Sequence, residues 1–203
     1  MLALDHVAVA AESLGEGRAA VEGVLGVPLQ EGGRHAAFGT HNLLMGLGAG
    51  LYLEVIAIDP DAAPPGRARW FDLDRFAGRP RPGAWVCRVA DLDAALAALP
   101  EAGEAVALQR GALRWRMGVP RDGRLPFDGV FPALIAWEGD LHPARMLAPS
   151  GCTLEALVLR HPRAEALAAR LGPWLDDGRV RFETGAAGIG IVLATPAGRR
   201  VLE

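Results

Sequence analysis

Leu51-Tyr52-Leu53-Glu54-Val55-Ile56-Ala57-Ile58 is the stretch on which the fold turns. It holds no glycine or proline, is rich in β-branched and aliphatic side chains, and is closed by Asp59-Pro60, so it reads as a buried strand. Its one charged residue, Glu54, shares a face with Tyr52 and Ile56. Upstream, residues 2–10 alternate as a second strand, with Leu4, His6 and Ala8 on one face and Asp5, Val7 and Val9 on the other. Between the two, Leu14, Val21, Val24 and Leu25 recur at helical spacing and Gly26 supplies a stop. Short β segments are predicted over residues 27–30 and 35–48, with a polar, glycine-rich loop over residues 32–42. The order is β, α, β, β, β.

Working toward the C-terminus, the same order returns. Residues 61–82 read as a Pro- and Ala-rich linker with a short helix carrying Trp70, Phe71, Leu73 and Phe76. A second unit, residues 83–150, offers a strand over 84–89, a helix over 91–99 capped by Asp91, and strands over 105–109, 113–119 and 131–137. A third and incomplete unit, residues 151–203, has a strand over 153–159, a helix from 163 and strands near 180–183, 189–194 and 199–202. Together with residues 1–60, this predicts an α+β fold of repeated βαβββ modules forming curved mixed sheets. One helix per unit covers one sheet face and leaves the other to enclose a cavity.

Composition narrows the classes of function. The chain has 203 residues, is 51% apolar and carries a net charge of −3, enough for a sizeable core. All 21 cationic residues are arginine, scattered without a basic block, which gives no nucleic-acid footprint. Cys87 and Cys152 sit in apolar runs and read as buried thiols. Residues 1–10 carry Asp5, lack a basic leader and are too short to span a bilayer, so the expectation is a cytoplasmic protein with no membrane partner. Nucleophile-elbow, P-loop and dinucleotide fingerprints are missing, as is any cysteine pair with zinc spacing.

His6 and Glu54 occupy mid-strand positions that can meet across one sheet, and imidazole with carboxylate suits a divalent metal. The plainer reading has them satisfy each other or face solvent. A carboxylate in so apolar a strand needs a metal, a donor, an arginine or a proton. His35 and Asn42, in the glycine-rich stretch, can contact a ligand or position a turn. Leu113-Arg114-Trp115-Arg116-Met117 alternates, so Arg114 and Arg116 share a face opposite Trp115 and Met117. On a concave face the two guanidinium groups would take a carboxylate or phosphate; on a convex face they would be solvated. Trp137 and His142 stand where an apolar strand meets a polar rim, with His142 a candidate proton shuttle beside Glu54.

Leu4-Asp5-His6-Val7, Gly33-Arg34-His35, Gly39-Thr40-His41-Asn42, Tyr52-Leu53-Glu54-Val55-Ile56, Phe131-Pro132 and Trp137 with His142-Pro143 together resemble the glyoxalase-like domain family of the vicinal oxygen chelate superfamily, over residues 2–159. The resemblance implies paired βαβββ modules and, in metal-dependent members, metal ligands from the first and last strand of each. His6 and Glu54 match the first pair. The second unit offers Trp85-Val86-Cys87 and Ile135-Ala136-Trp137, with no His and Glu at the comparable places. The expected function is a glyoxalase-like enzyme, of lyase, isomerase or dioxygenase type. It acts on a small oxygenated, anionic molecule with a divalent metal (zinc, iron, manganese or nickel) at His6 and Glu54. Substrate contacts fall to His35, Asn42, Tyr52, Arg114, Trp115, Arg116 and Trp137. The alternative is a non-catalytic binding protein for such a molecule, and a homodimer is the expected assembly.

Overall fold

The computed structural model describes residues 1–203 and builds them into two sheets flanked by helices. The first elements are β1 (Ala3–Ala10), α1 (Leu14–Leu25), β2 (Gln30–His35), β3 (Thr40–Gly46) and β4 (Tyr52–Ile58). After 3-10 turns at Trp70–Arg75 come β5 (Arg81–Arg88), α2 (Leu92–Ala98), β6 (Glu104–Arg110), β7 (Leu113–Val119) and β8 (Ala133–Glu138). A short α3 (Pro143–Met146) leads to β9 (Thr153–Arg160), α4 (Ala164–Leu171), β10 (Val180–Glu183), β11 (Gly188–Thr195) and β12 (Gly198–Leu202).

Local chemistry sets the helix ends. The Ser13 hydroxyl accepts from the Glu16 N–H at 3.2 Å and Gly26 closes α1 in the left-handed conformation. The Asp91 carboxylate does the same for α2, accepting from the Ala94 N–H at 3.0 Å. Gly17 lets α1 settle onto β4, because a Cβ there would lie 2.4 Å from Val55 Cγ1.

The larger sheet runs β2-β3-β4-β1-β5-β8-β7-β6. Parallel pairs β1·β4 and β5·β8 flank an antiparallel β1·β5 seam, so two βαβββ units of like topology meet at the centre within one chain. The sheet curls until its ends meet, Arg110 of β6 reaching His35 of β2. The smaller sheet, β10-β9-β11-β12, has the same element order but a different pairing: its first strand lies parallel to its second rather than to its last. A continuous core of 47 buried apolar side chains runs through both sheets, which makes them one packed body. Cys87 and Cys152 are buried free thiols within it. No helix is long and apolar enough to cross a membrane.

The stretch predicted as a loop over residues 32–42 is instead a hairpin. Arg34 pairs with His41 and His35 with Thr40, leaving only residues 36–39 to turn, and the strand expected at 27–30 begins at Gln30. The glycines are there for clearance. A Cβ on Gly32 would lie 2.0 Å from Asn42 Oδ1, and one on Gly33 2.6 Å from Arg110 Cδ.

Candidate functional site

The site begins with a bulge. Between Leu4 and His6 the register of β1 against β5 slips by one, so Asp5 does not point away from its neighbour as simple alternation predicts. Asp5 is 0% exposed, and its Oδ1 accepts from His6 Nδ1 at 2.7 Å. Its Oδ2 accepts from His142 Nε2 at 2.9 Å and from Trp137 Nε1 at 3.0 Å. Burial alone would raise this carboxyl, but the hydrogen bonds and charge of His142 and His6 hold it well below the ordinary carboxylate range. With Nδ1–H given to Asp5, the lone pair of His6 lies on Nε2, 3.7 Å from Glu54 Oε2. The His6 ring is fixed by stacking on Tyr52, centroids 4.4 Å apart.

A second chain of bonds fixes Glu54 from the other side. Its Oε1 accepts from Asn42 Nδ2 at 2.5 Å, which leaves Oε2 without a donor. Asn42 Oδ1 accepts from the Gly33 N–H at 2.8 Å and from Arg110 Nη1 at 3.0 Å. Arg110 Nη1 also reaches His35 Nε2 at 3.1 Å, while His35 Nδ1 lies 3.1 Å from Thr40 Oγ1. Burial first, and the Arg110 charge second, push His35 down to about 3, so it is neutral and offers Nε2 as an acceptor. Burial, with Asp5 and Glu54 nearby, raises the Tyr52 phenol well above its ordinary value and keeps it protonated.

These groups surround an inner space of about 20 Å³, room for one water-sized particle. One wall is polar: His6, His35, Asn42, Glu54 and Arg110. The other is Trp70, Trp115, Met117, Ile135 and Trp137. Phe71 lines this space and also an outer cavity of about 620 Å³, and no other side chain is shared by the two. Phe71 and Asp72 both sit in the left-handed region, at φ 57° and 56°, a conformation that costs non-glycine residues energy.

Of the residues singled out in the sequence, His6, His35, Asn42, Tyr52, Glu54, Trp115 and Trp137 converge on this pocket. Arg114 and Arg116 do not. They lie on the outer face of β7, where Arg114 bonds Gln109 and Arg116 forms a two-pronged pair with Asp93 of α2 at 2.7 and 2.9 Å. The alternation was legible, but which face turned inward depended on sheet curvature. His142 does not line the pocket either; its Nδ1 accepts from the Ala144 N–H at 3.2 Å, and Nε2 serves Asp5. Asp5, Arg110 and Trp70 were missed. Asp5 had a signal, as a carboxylate in an apolar strand; Arg110 had none.

For the expected divalent metal, only His6 Nε2 and Glu54 Oε2 present unused donors to the pocket, and no group of three metal-ligating side chains gathers anywhere. In the second half, Val86 lies opposite His6 and Ala133 opposite Val86, so the paired unit adds no ligand. Two donors fall short of the three or four protein ligands of a resident metal, and Arg110 already places a cation beside Glu54's partner Asn42. The residues do not fit such a centre.

The fold can be set beside known proteins. A hypothetical protein from Staphylococcus aureus superposes with a TM-score of 0.64 at 14% identity, covering 93% of this chain and 88% of that one. Methylmalonyl-CoA epimerase from Mycobacterium tuberculosis gives 0.44 at 22% identity, with 68% and 88% covered. A methylmalonyl-CoA epimerase in complex with methylmalonyl-CoA and NH4+ gives 0.45 at 17%, with 70% and 99% covered. At 14% identity the first of these likenesses speaks to fold alone. No curated protein matches the chain. The model of the glyoxalase-like domain matches residues 4–175, most of the chain and all of the pocket, and the protein therefore belongs to the glyoxalase-like domain family of the vicinal oxygen chelate superfamily.

Proposed function

We propose that the protein is an enzyme that moves a proton at a carbon next to a carbonyl in a small oxygenated molecule. One observation carries this reading: two unused proton-accepting atoms, Glu54 Oε2 and His6 Nε2, face each other at 3.7 Å in a buried pocket. Each is held by a bond at its far side, Glu54 through Asn42 and His6 through Asp5. Glu54 Oε2 takes the proton, and the C–H electron pair moves into the carbonyl as an enolate. The same carboxyl returns the proton to carbon, or His6 delivers one it has taken at Nε2. Asp5 stabilises the imidazolium that His6 becomes in that second course. This is isomerase- or lyase-type chemistry.

Deuterium exchange tests it. Pyruvate and 2-oxobutyrate incubated with the protein in D2O should lose their C3 proton signals faster than with Glu54→Gln, by about 10²–10⁴-fold. Equal rates for wild type, Glu54→Gln and His6→Gln would overturn the proposal. Metal bound stoichiometrically by the wild type and lost from both variants would reassign the pair to metal binding. The aromatic wall of Trp70, Trp115 and Trp137 favours a second reading, a binding protein without chemistry. Acids that raise the melting temperature without any exchange would select it.

A further inference from the structure

We infer that the pocket takes a carboxylate, and that Arg110 is the residue that selects it. The inference rests on the proton-transfer reading for what the acid is bound for, but not for the binding itself. Arg110 carries a permanent charge and is half-buried at the end of β6. Its two side-chain bonds, to His35 Nε2 and Asn42 Oδ1, both leave from Nη1 and both go to neutral acceptors. Nε and Nη2 bond nothing in the protein, and no carboxylate forms an ion pair with it. Two other arginines of the second half do have carboxylate partners, Arg116 with Asp93 and Arg121 with Glu104, each at 2.7 Å. A partly desolvated cation without a counter-ion is costly unless an anion arrives. The free edge of a guanidinium matches a carboxylate with two parallel hydrogen bonds.

Three further features fit the same ligand. Trp70, buried and lining the pocket, has an indole N–H with no acceptor, a second donor for a carboxylate oxygen. The neutral His35 accepts from Nη1 without supplying the missing negative charge, so it orients the guanidinium and leaves the counter-ion to the ligand. Gly33 has no side chain where a Cβ would meet Arg110 Cδ at 2.6 Å, which keeps the arginine's place open. Arg110 so placed holds the acid group while Glu54, on the other side of Asn42, faces the adjoining carbon. Phe71 is the side chain that separates this inner space from the outer cavity, lining both.

The test compares propionate, pyruvate and 2-oxobutyrate with the corresponding amides, by calorimetry on wild type, Arg110→Gln and Arg110→Lys, with melting temperatures as the check on folding. The acids should bind wild type, the amides at least about tenfold more weakly, and Arg110→Gln should lose a comparable factor that Arg110→Lys restores in part. Trp70→Phe should weaken the acids and leave the amides unchanged. Amides that bind as well as acids, acids that bind Arg110→Gln unchanged, or no binding by any of the three acids would overturn the inference. Arg110-dependent binding without deuterium exchange would leave it standing and remove the proton-transfer reading. Exchange that persists in Arg110→Gln at an unchanged KM would do the reverse.

Discussion

The two halves of the eight-stranded sheet share a topology and differ in what they bring to the pocket. The first half, β1 to β4, contributes His6, His35, Asn42, Tyr52 and Glu54; the second, β5 to β8, contributes Trp115, Met117, Ile135, Trp137 and one cation, Arg110. At the seam the contrast is plain, since His6 pairs with Val86. Equivalent backbones thus separate two tasks, reactive groups on one side and a shaped apolar wall with an anion anchor on the other. Topology alone carries no chemistry.

The comparison can be broken at Asp5, a fully buried residue of the first half that Trp137 of the second half bonds directly. Asp5→Ala would leave the buried His6 and His142 and the half-buried Trp137 as donors without an acceptor and is expected to cost about 3–5 kcal/mol in urea unfolding. A loss under 1 kcal/mol, on the order of a surface substitution, would mean that the halves do not depend on this bridge.

A smaller effect sharpens it through pH. His35 is neutral when folded and titrates near 6.5 when unfolded. Between those values the unfolded chain binds more protons, so stability is complete above about 6.5 and falls on acidification, by at most about 1.4 kcal/mol per pH unit. The depressed Asp5 carboxyl contributes stability that is lost only at lower pH, below its ordinary value of 3.8, so the range from 6.5 to 4 reports mainly on His35. His35→Gln should flatten the dependence measured there by chemical denaturation. An unchanged slope would show that His35 is not held neutral.

Smallest of all is the effect expected on the outer face of β7. Arg116→Ala breaks an exposed pair with Asp93 and should leave acid binding and exchange unchanged. A clear loss of binding would put the anion site on the wrong face.

Much of this is legible in the sequence. The strand carrying Glu54, the strand carrying His6 and the repeated βαβββ order follow from hydrophobic period and turn residues, which are local properties. Three things were not local. The bulge that swings Asp5 beside His6 depends on register against β5, which the alternation of residues 2–10 does not encode. The direction of Arg114 and Arg116 depends on which way the sheet curls. Arg110 enters because the first and last strands of that sheet come together, and nothing near it in the sequence marks the event. Gly32 and Gly33 misled for the opposite reason: glycine composition suggests a loop, whereas here it provides clearance inside a hairpin.

The clasp between Arg110 and His35 joins residues 75 positions apart. Closing so long a stretch of chain is entropically costly, whereas the hairpins that carry the two residues, β2 with β3 and β6 with β7, close over a few residues each. A chain in which each half has folded but the sheet has not yet curled would hold His6 and Glu54 on adjacent strands and still lack the anion anchor. Ligand binding therefore reports on closure of the sheet, and its recovery should trail that of the local hairpins when the unfolded protein is returned to native conditions.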